Sequence, residues 1–279
     1  MNRLLKTLLV VGCGFIGANL YAQKLVLKWK TDTLLRVPES VLFDGERKIL
    51  YVANIDGKPD GKDGVGFISK VTLDGKIENL KWVTGLDAPK GMGLYKGKLY
   101  VADISRVVVI DIASGKIVSK IEIDGAKFLN DITVDKKGSV FISDTGTGKI
   151  HTLQGDKAVV YFESKEFKGI NGLLADGNDL YVLDFGNGNN YKLSADKKLQ
   201  KFGVSSEGAD GVVPFGKGYL VSNWHGEVYF MSATGEAKKL LDTKDQKISA
   251  ADIEYDAKSK LLFVPTFFSN SVIAYEVKE

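Results

Sequence analysis

The chain is poor in the residues on which disulfide-stapled folds and many catalytic sites rely: it has one cysteine, Cys13, and two histidines, His151 and His225. A single thiol closes no disulfide within a chain, so stability must come from packing and from closure of the fold. Zinc of the cysteine or histidine type is excluded by count, and no Ser-His-Asp or Cys-His set is credible. The 5 prolines and 31 glycines are dispersed as turn punctuation, with no low-complexity tract and no linker. Neither sign of charge dominates: 38 Lys and Arg stand against 35 Asp and Glu, which argues against a nucleic-acid partner.

Only the amino-terminal segment carries a long apolar run. Arg3 and Lys6 precede an apolar stretch from Thr7 to Leu20 and then Tyr-Ala-Gln, the pattern of a secretory signal peptide cleaved near Ala22. Gly12, Gly14, Gly17 and Asn19 interrupt the run, which is short for a membrane span of ~20 residues. Val-Val-Gly-Cys, ending at Cys13, weakly resembles a lipobox, so lipidation is the second expectation after soluble export. Residues 1–22 are thus expected to be a signal peptide and 23–279 a single domain, periplasmic or secreted and monomeric.

What is present is a repeat. Leu129 to Asp144, LNDITVDKKGSVFISD, has a polar opening, an alternating strand, a turn at Lys137-Gly138 and an apolar strand ending on Asp144. Copies open on PESVLFD, PKGMGLY, INGLLAD, ADGVVPF and ADIEYDA. Markers in their second strands fall at Tyr51, Tyr100, Phe141, Tyr181, Leu220 and Phe263, spaced by 49, 41, 40, 39 and 43 residues. A period of about 40 with several short strands per unit predicts an all-β, six-bladed β-propeller. Gln23 to Thr33 alternates, with Leu25, Leu27 and Trp29 on one face. It is expected to complete the last blade, which otherwise has only three strands, and so to close the ring.

Two conspicuous patterns have bland readings. Asp56 to Gly64, DGKPDGKDG, presents aspartates as a calcium loop would, but lacks the terminal Glu of an EF-hand and is read as turn. Asn54, Asp103, Asp144, Asp184 and Asn223 recur after second strands and are read as turn formers holding backbone N–H groups.

The inner strands open on Glu39, Lys90, Asn130, Asn171, Asp210 and Asp252, so six polar side chains are expected to converge in the central channel. Glu, Asn and Asp are oxygen donors of the kind that hard divalent cations prefer. Phe185 and Phe267-Phe268 are candidates to wall an apolar ligand.

These motifs resemble the senescence marker protein, gluconolactonase and luciferin-regenerating enzyme family of six-bladed propellers. PESVLFD is similar to the family's Glu motif, INGLLAD to its Asn-Gly motif, ADGVVPFGKGYLVSN to its Asp-Gly motif and LNDITVD to its Asn-Asp stretch. The resemblance implies one channel cation, Ca²⁺ first, with Mg²⁺, Mn²⁺ or Zn²⁺ as alternatives. It implies Glu39, Asn171 and Asp210 as ligands, Asp210 also as the catalytic base, and Asn130 touching metal or substrate. Lys90 and Asp252 join the set as substrate-binding residues. The implied activity is hydrolysis of a small-molecule lactone or ester. Phe128 stands where many members carry a basic residue, and Lys90 has no counterpart role. LYVADISRVVVIDIASGKIVSKIEI and VFISDTGTGKIHTL resemble the repeats of NHL-type propellers, so a non-catalytic propeller binding a protein or small ligand is the alternative.

Export is checked directly. Mass spectrometry of protein from the native host is expected to find a chain beginning near Gln23, and an intact Met1 or a lipid on Cys13 contradicts that expectation.

Overall fold

Alternating apolar positions and tight turns fold each repeat into a four-stranded antiparallel sheet. The computed structural model describes residues 23–278, and the signal-peptide expectation for residues 1–22 lies outside them. The described residues form six such sheets, five of them built from four consecutive strands. The innermost strands of these five are Pro38–Asp44, Pro89–Tyr95, Leu129–Val134, Ile170–Asp176 and Ala209–Phe215. This is the predicted six-bladed β-propeller. Among the described residues no helix is long and apolar enough to cross a membrane.

The sixth sheet closes the ring. Its order is Lys24–Lys30, Val272–Lys278, Leu261–Pro265, Glu254–Asp256, so the amino-terminal strand is the outermost and pairs antiparallel with the carboxy-terminal one. The closure follows the sequence expectation, but its packing differs in one respect. Leu25 and Leu27 share a face but Trp29 does not join them, because the register shifts between Leu27 and Trp29 and leaves Lys28 bulged. One extra residue in a strand moves every later side chain to the opposite face. Leu25 accordingly packs between the fifth and sixth blades and Trp29 between the sixth and first, while Leu27, on the face of Leu25, is 59% exposed. Trp29 is fixed at both ends of its indole: Nε1 donates to the Leu73 carbonyl at 2.9 Å, and the ring lies 5.8 Å from that of Phe263.

The apolar core is a ring of six clusters, one in each cleft between adjacent blades. Burial between blades removes apolar area from water at about 25 cal/mol per Å² and leaves the channel to polar groups. A seventh cluster, Ile55, Ala88, Ile104, Ala251 and Phe267, lies under the loops at one mouth.

Trp29→Ala is expected to cost roughly 2–3 kcal/mol, somewhat under the full-core range because the indole is only half-buried. In a domain of this size that lowers the melting temperature by about 4–12 °C. Leu27→Ala should leave the melt unchanged, and equal effects of the two substitutions would contradict this difference in packing.

Candidate functional site

The acid or amide ending each second strand sets the position of the inner strand beside it. Asn54 Oδ1 accepts from the Arg36 N–H at 2.9 Å, and Asp103 Oδ1 from Asp87 and Ala88 at 3.0 and 2.8 Å. Asp144 accepts from Lys127 and Phe128, and Asp184 from Lys168. Each side chain therefore ties down the segment leading into its blade's inner strand, the turn-forming role expected of these residues.

Immediately after that tie the inner strand is irregular. The pairing of blades one to five begins regularly at Pro38, Pro89, Leu129, Ile170 and Ala209, and the register shifts directly after each. Bulges re-aim side chains, and the bulged positions are those of Glu39, Lys90, Asn130, Asn171 and Asp210. All five are buried and line one cavity of 240 Å³ at a channel mouth. The glycine that follows in three of these blades permits close approach of the next strand: a Cβ on Gly172 would lie 2.0 Å from the Asp210 carbonyl oxygen.

Asp252 does not join them. It lines a second cavity, of 220 Å³, farther along the channel, together with Asp131 and Glu254. Its backbone bridges to Ser40, one residue beyond Glu39, and its Oδ2 accepts from Ser40 Oγ at 2.6 Å. The reason is the length of the hairpin. Asp256 to Lys260 in blade six repeats Asp44 to Lys48 in blade one, and both lysines take positive φ, 58° and 54°. That alignment pairs Asp252 with Ser40 and Ala251 with Glu39, and it was available in the sequence. Asp252 is thereby corrected from a member of the ring to a residue of the opposite cavity.

Within the first cavity the polar groups are unevenly satisfied. Asn171 Nδ2 donates to Asp210 Oδ1 at 3.0 Å, and Asn130 Nδ2 to Thr145 Oγ1 at 3.1 Å. Glu39 Oε2 is buried with no partner among the described residues. Burial, followed by the charge of Asp210, pushes the Glu39 carboxyl well above the usual range, against the pull of Lys90. Asp210 is likewise raised by burial and by Asp252 and Asp131, with the Asn171 amide opposing.

Lys90 is hydrogen-bonded to backbone rather than paired with these carboxylates. Its ammonium donates to the carbonyls of Pro59 and Ala88 at 2.8 and 3.0 Å and lies 4.4 Å from the centroid of the Phe128 ring. Burial lowers it to about 8, with Glu39 the chief opposing influence. The unusual pair of residues thus forms one unit, since the aromatic face of Phe128 supports the cation of Lys90. Pro59 belongs to the Asp56 to Gly64 loop, which is drawn over the cavity by this bond and by Lys62 Nζ donating to Ser105 Oγ at 2.8 Å.

Above the polar floor the walls are Ile55, Phe128, Phe185, Trp224, Phe267 and Phe268. Trp224, which no sequence motif marks, faces the cavity, while its neighbour His225 packs on Phe185 and Trp224 from outside. His151 is buried, 3.8 Å from Asp144 Oδ2, and takes no part in the site. No cluster of three or more His, Cys, Asp or Glu side chains placed to hold a metal occurs among the described residues. The channel set instead offers two carboxylates and two amides.

No protein-family profile and no curated protein matches the sequence. The fold does have solved counterparts. A gluconolactonase from Xanthomonas campestris superposes with a TM-score of 0.67 at 14% identity, over 88% of this chain and 87% of that one. The virginiamycin B lyase of Staphylococcus aureus, in an inactive form with quinupristin, gives 0.64 at 12% identity over 92% and 100%. A chain of the nidogen/laminin complex gives 0.65 at 18% over 78% and 84%. At such identities the likeness is one of fold.

The second cavity makes stability depend on pH. Burial pushes Asp252 and Glu254 up to about 7. Between about pH 4.5 and 7 the folded chain therefore retains protons that unfolded carboxylates have lost, and stability falls as pH rises. Asp144 and Glu227, held at about 2, act below that window. Thermal melts of chelator-treated protein should show this decline, and Asp252→Asn should reduce it; a melting temperature that rises across the window contradicts the assignment.

Proposed function

We propose that the chain is an exported hydrolase of a small lactone or ester, working with one divalent cation at Glu39, Asn171 and Asp210. The observation that carries the reading is Glu39 Oε2, a buried carboxylate oxygen left without a partner while the ammonium of Lys90 donates to two backbone carbonyls. A buried carboxylate without a partner is costly. The donor set around it is oxygen-rich, with Asp210 and Asn171 adjacent, and suits a hard cation, Ca²⁺ in first place and Mg²⁺, Mn²⁺ or Zn²⁺ otherwise. The resemblance of the Glu39, Asn130, Asn171 and Asp210 motifs to the senescence marker protein and gluconolactonase family supports the same reading, as does the fold shared with a gluconolactonase.

Such a cation, when bound, polarises a carbonyl oxygen and lowers the pKa of a water. The remaining chemistry belongs to the chain. Asp210 is oriented by the Asn171 amide and accepts the proton of the attacking water. The water oxygen bonds to the carbonyl carbon, the ester C–O bond breaks, and Asp210 returns the proton to the departing alkoxide. Lys90 has three N–H donors and uses two on Pro59 and Ala88, so one remains for substrate oxygen. Asn130, positioned by Thr145, supplies a carbonyl oxygen to metal or substrate. The aromatic walls keep bulk water from the reacting carbonyl, where charge interactions strengthen.

A cation at a hundred times its dissociation constant adds about 2.7 kcal/mol of stability, or roughly 5–10 °C in melting temperature. Ca²⁺, Mg²⁺ or Mn²⁺ added to chelator-treated protein should produce a shift of that order. Asp210→Asn should abolish both the shift and any ester hydrolysis. If chelation changes nothing in the wild type while Lys90→Ala destabilises it, the channel is an internally balanced polar lining, and the binding-propeller alternative takes the place of the hydrolase.

A further inference from the structure

The cavity has walls of a different chemistry from its floor, and the walls say what kind of molecule fits. We infer that the substrate is a small ester or lactone whose body is a single apolar ring or short acyl chain, and not a polyhydroxylated sugar lactone. The reaction in this inference rests on the hydrolase reading above, whereas the substrate class rests on the walls alone.

Size comes first. An apolar cavity of about 150 Å³ takes up benzene, and drug-sized ligands occupy pockets of about 300 Å³ and more. The 240 Å³ here falls between and admits one ring with a short tail. Polarity follows. A sugar lactone would bring several hydroxyls, each of which loses its water on entry and needs a new partner. Thr145 Oγ1 is already committed, donating to the Ile170 carbonyl at 2.6 Å and accepting from Asn130 at 3.1 Å. Apart from the indole N–H of Trp224, the walls are carbon: Phe185, Trp224, Phe267 and Phe268 form an arc above the floor.

This arc is built at a cost to the backbone. Phe267 has φ of 49°, in the left-handed region that bulky side chains rarely occupy. The turn is held by the Asn270 N–H on the Phe267 carbonyl at 3.0 Å and by Asn270 Oδ1, which accepts from Val37 N–H at 2.9 Å. Its effect is to bring two consecutive aromatics to the cavity. Phe267 is buried edge-on to Trp224 at 5.4 Å, whereas Phe268 stands at the rim, 65% exposed and 6.0 Å from the same indole. Core packing does not call for an aromatic as exposed as Phe268; the apolar body of a ligand would cover it.

The test compares two monocarboxylates, 3-phenylpropionate and gluconate, the first an apolar acid and the second the product of a sugar lactone. Binding to the full-length mature protein in Ca²⁺ is measured by calorimetry. 3-Phenylpropionate is expected to bind at least roughly tenfold more tightly than gluconate. Phe268→Ala, at an exposed position that should not disturb folding, is expected to remove most of that difference, and Phe185→Ala to remove part of it. Equal or tighter binding of gluconate, or a difference that survives both substitutions, overturns the inference. Hydrolysis of phenyl acetate and of glucono-δ-lactone is followed in parallel. Faster turnover of the sugar lactone also overturns it. Absence of turnover with the binding preference intact removes the hydrolase reading and leaves the apolar preference of the cavity standing.

Discussion

The geometry of the channel mouth depends on one recurring bond, from an acidic or amide side chain at the end of a second strand to the backbone N–H groups that lead into the inner strand of the same blade. Asp103, Asp144 and Asp184 each make it. By holding the lead-in they force the irregularity into the next residue, and the bulge turns Lys90, Asn130 and Asn171 into the cavity. The repeat thus has two grades of polar residue, one that is used up in positioning the backbone and one that is presented to the channel. Buried polar groups that are fully satisfied confer rigidity, and that rigidity lets neighbouring side chains be left unsatisfied at Glu39.

Charge in the channel is arranged against simple neutralisation. Several carboxylates, among them Glu39, Asp210, Asp131 and Asp252, face a narrow space in which Lys90 is the one buried ammonium among the described residues. Like charges about 4 Å apart repel by about 4 kcal/mol at an effective dielectric near 20, so protons or a cation must be taken up. In the far cavity hydrogen bonds and protons do this: Asp131 accepts from Leu173 and Ile132, and Asp252 from Ser40. At the near mouth Lys90 is held off by Pro59, Ala88 and Phe128, and Glu39 keeps an oxygen free. Two cavities on one set of strands therefore have different electrostatic characters.

Lys90 and Phe128 illustrate why single residues mislead when read alone. Taken separately, each departs from the motif that surrounds it. In the fold they come from adjacent blades, and the aromatic ring supports the ammonium. Trp224 is a similar case: no local motif marks it, yet the turn carrying Phe267 and Phe268 packs against its indole and makes it a wall.

Repeat number, strand alternation and ring closure were legible in the chain because they rest on local periodicity, which each forty-residue unit states again. Five of six channel residues were legible for the same reason, since equivalent positions in equivalent blades must share a depth. Asp252 was misplaced by a count from the marker that stopped one residue short, although the equal Asp44-to-Lys48 and Asp256-to-Lys260 hairpins carried the correct alignment. Trp29 was placed on the wrong face because a bulge at Lys28 shifts facing by one, and the strand that reveals the bulge lies at the far end of the chain. What only the tertiary structure decided are contacts between residues distant in sequence: Pro59 over Lys90, Asn270 against Val37, and Ser40 beside Asp252. Periodicity determines which face of a strand a side chain occupies, whereas the partner it meets there depends on how the blades close into a ring, and no local pattern encodes that.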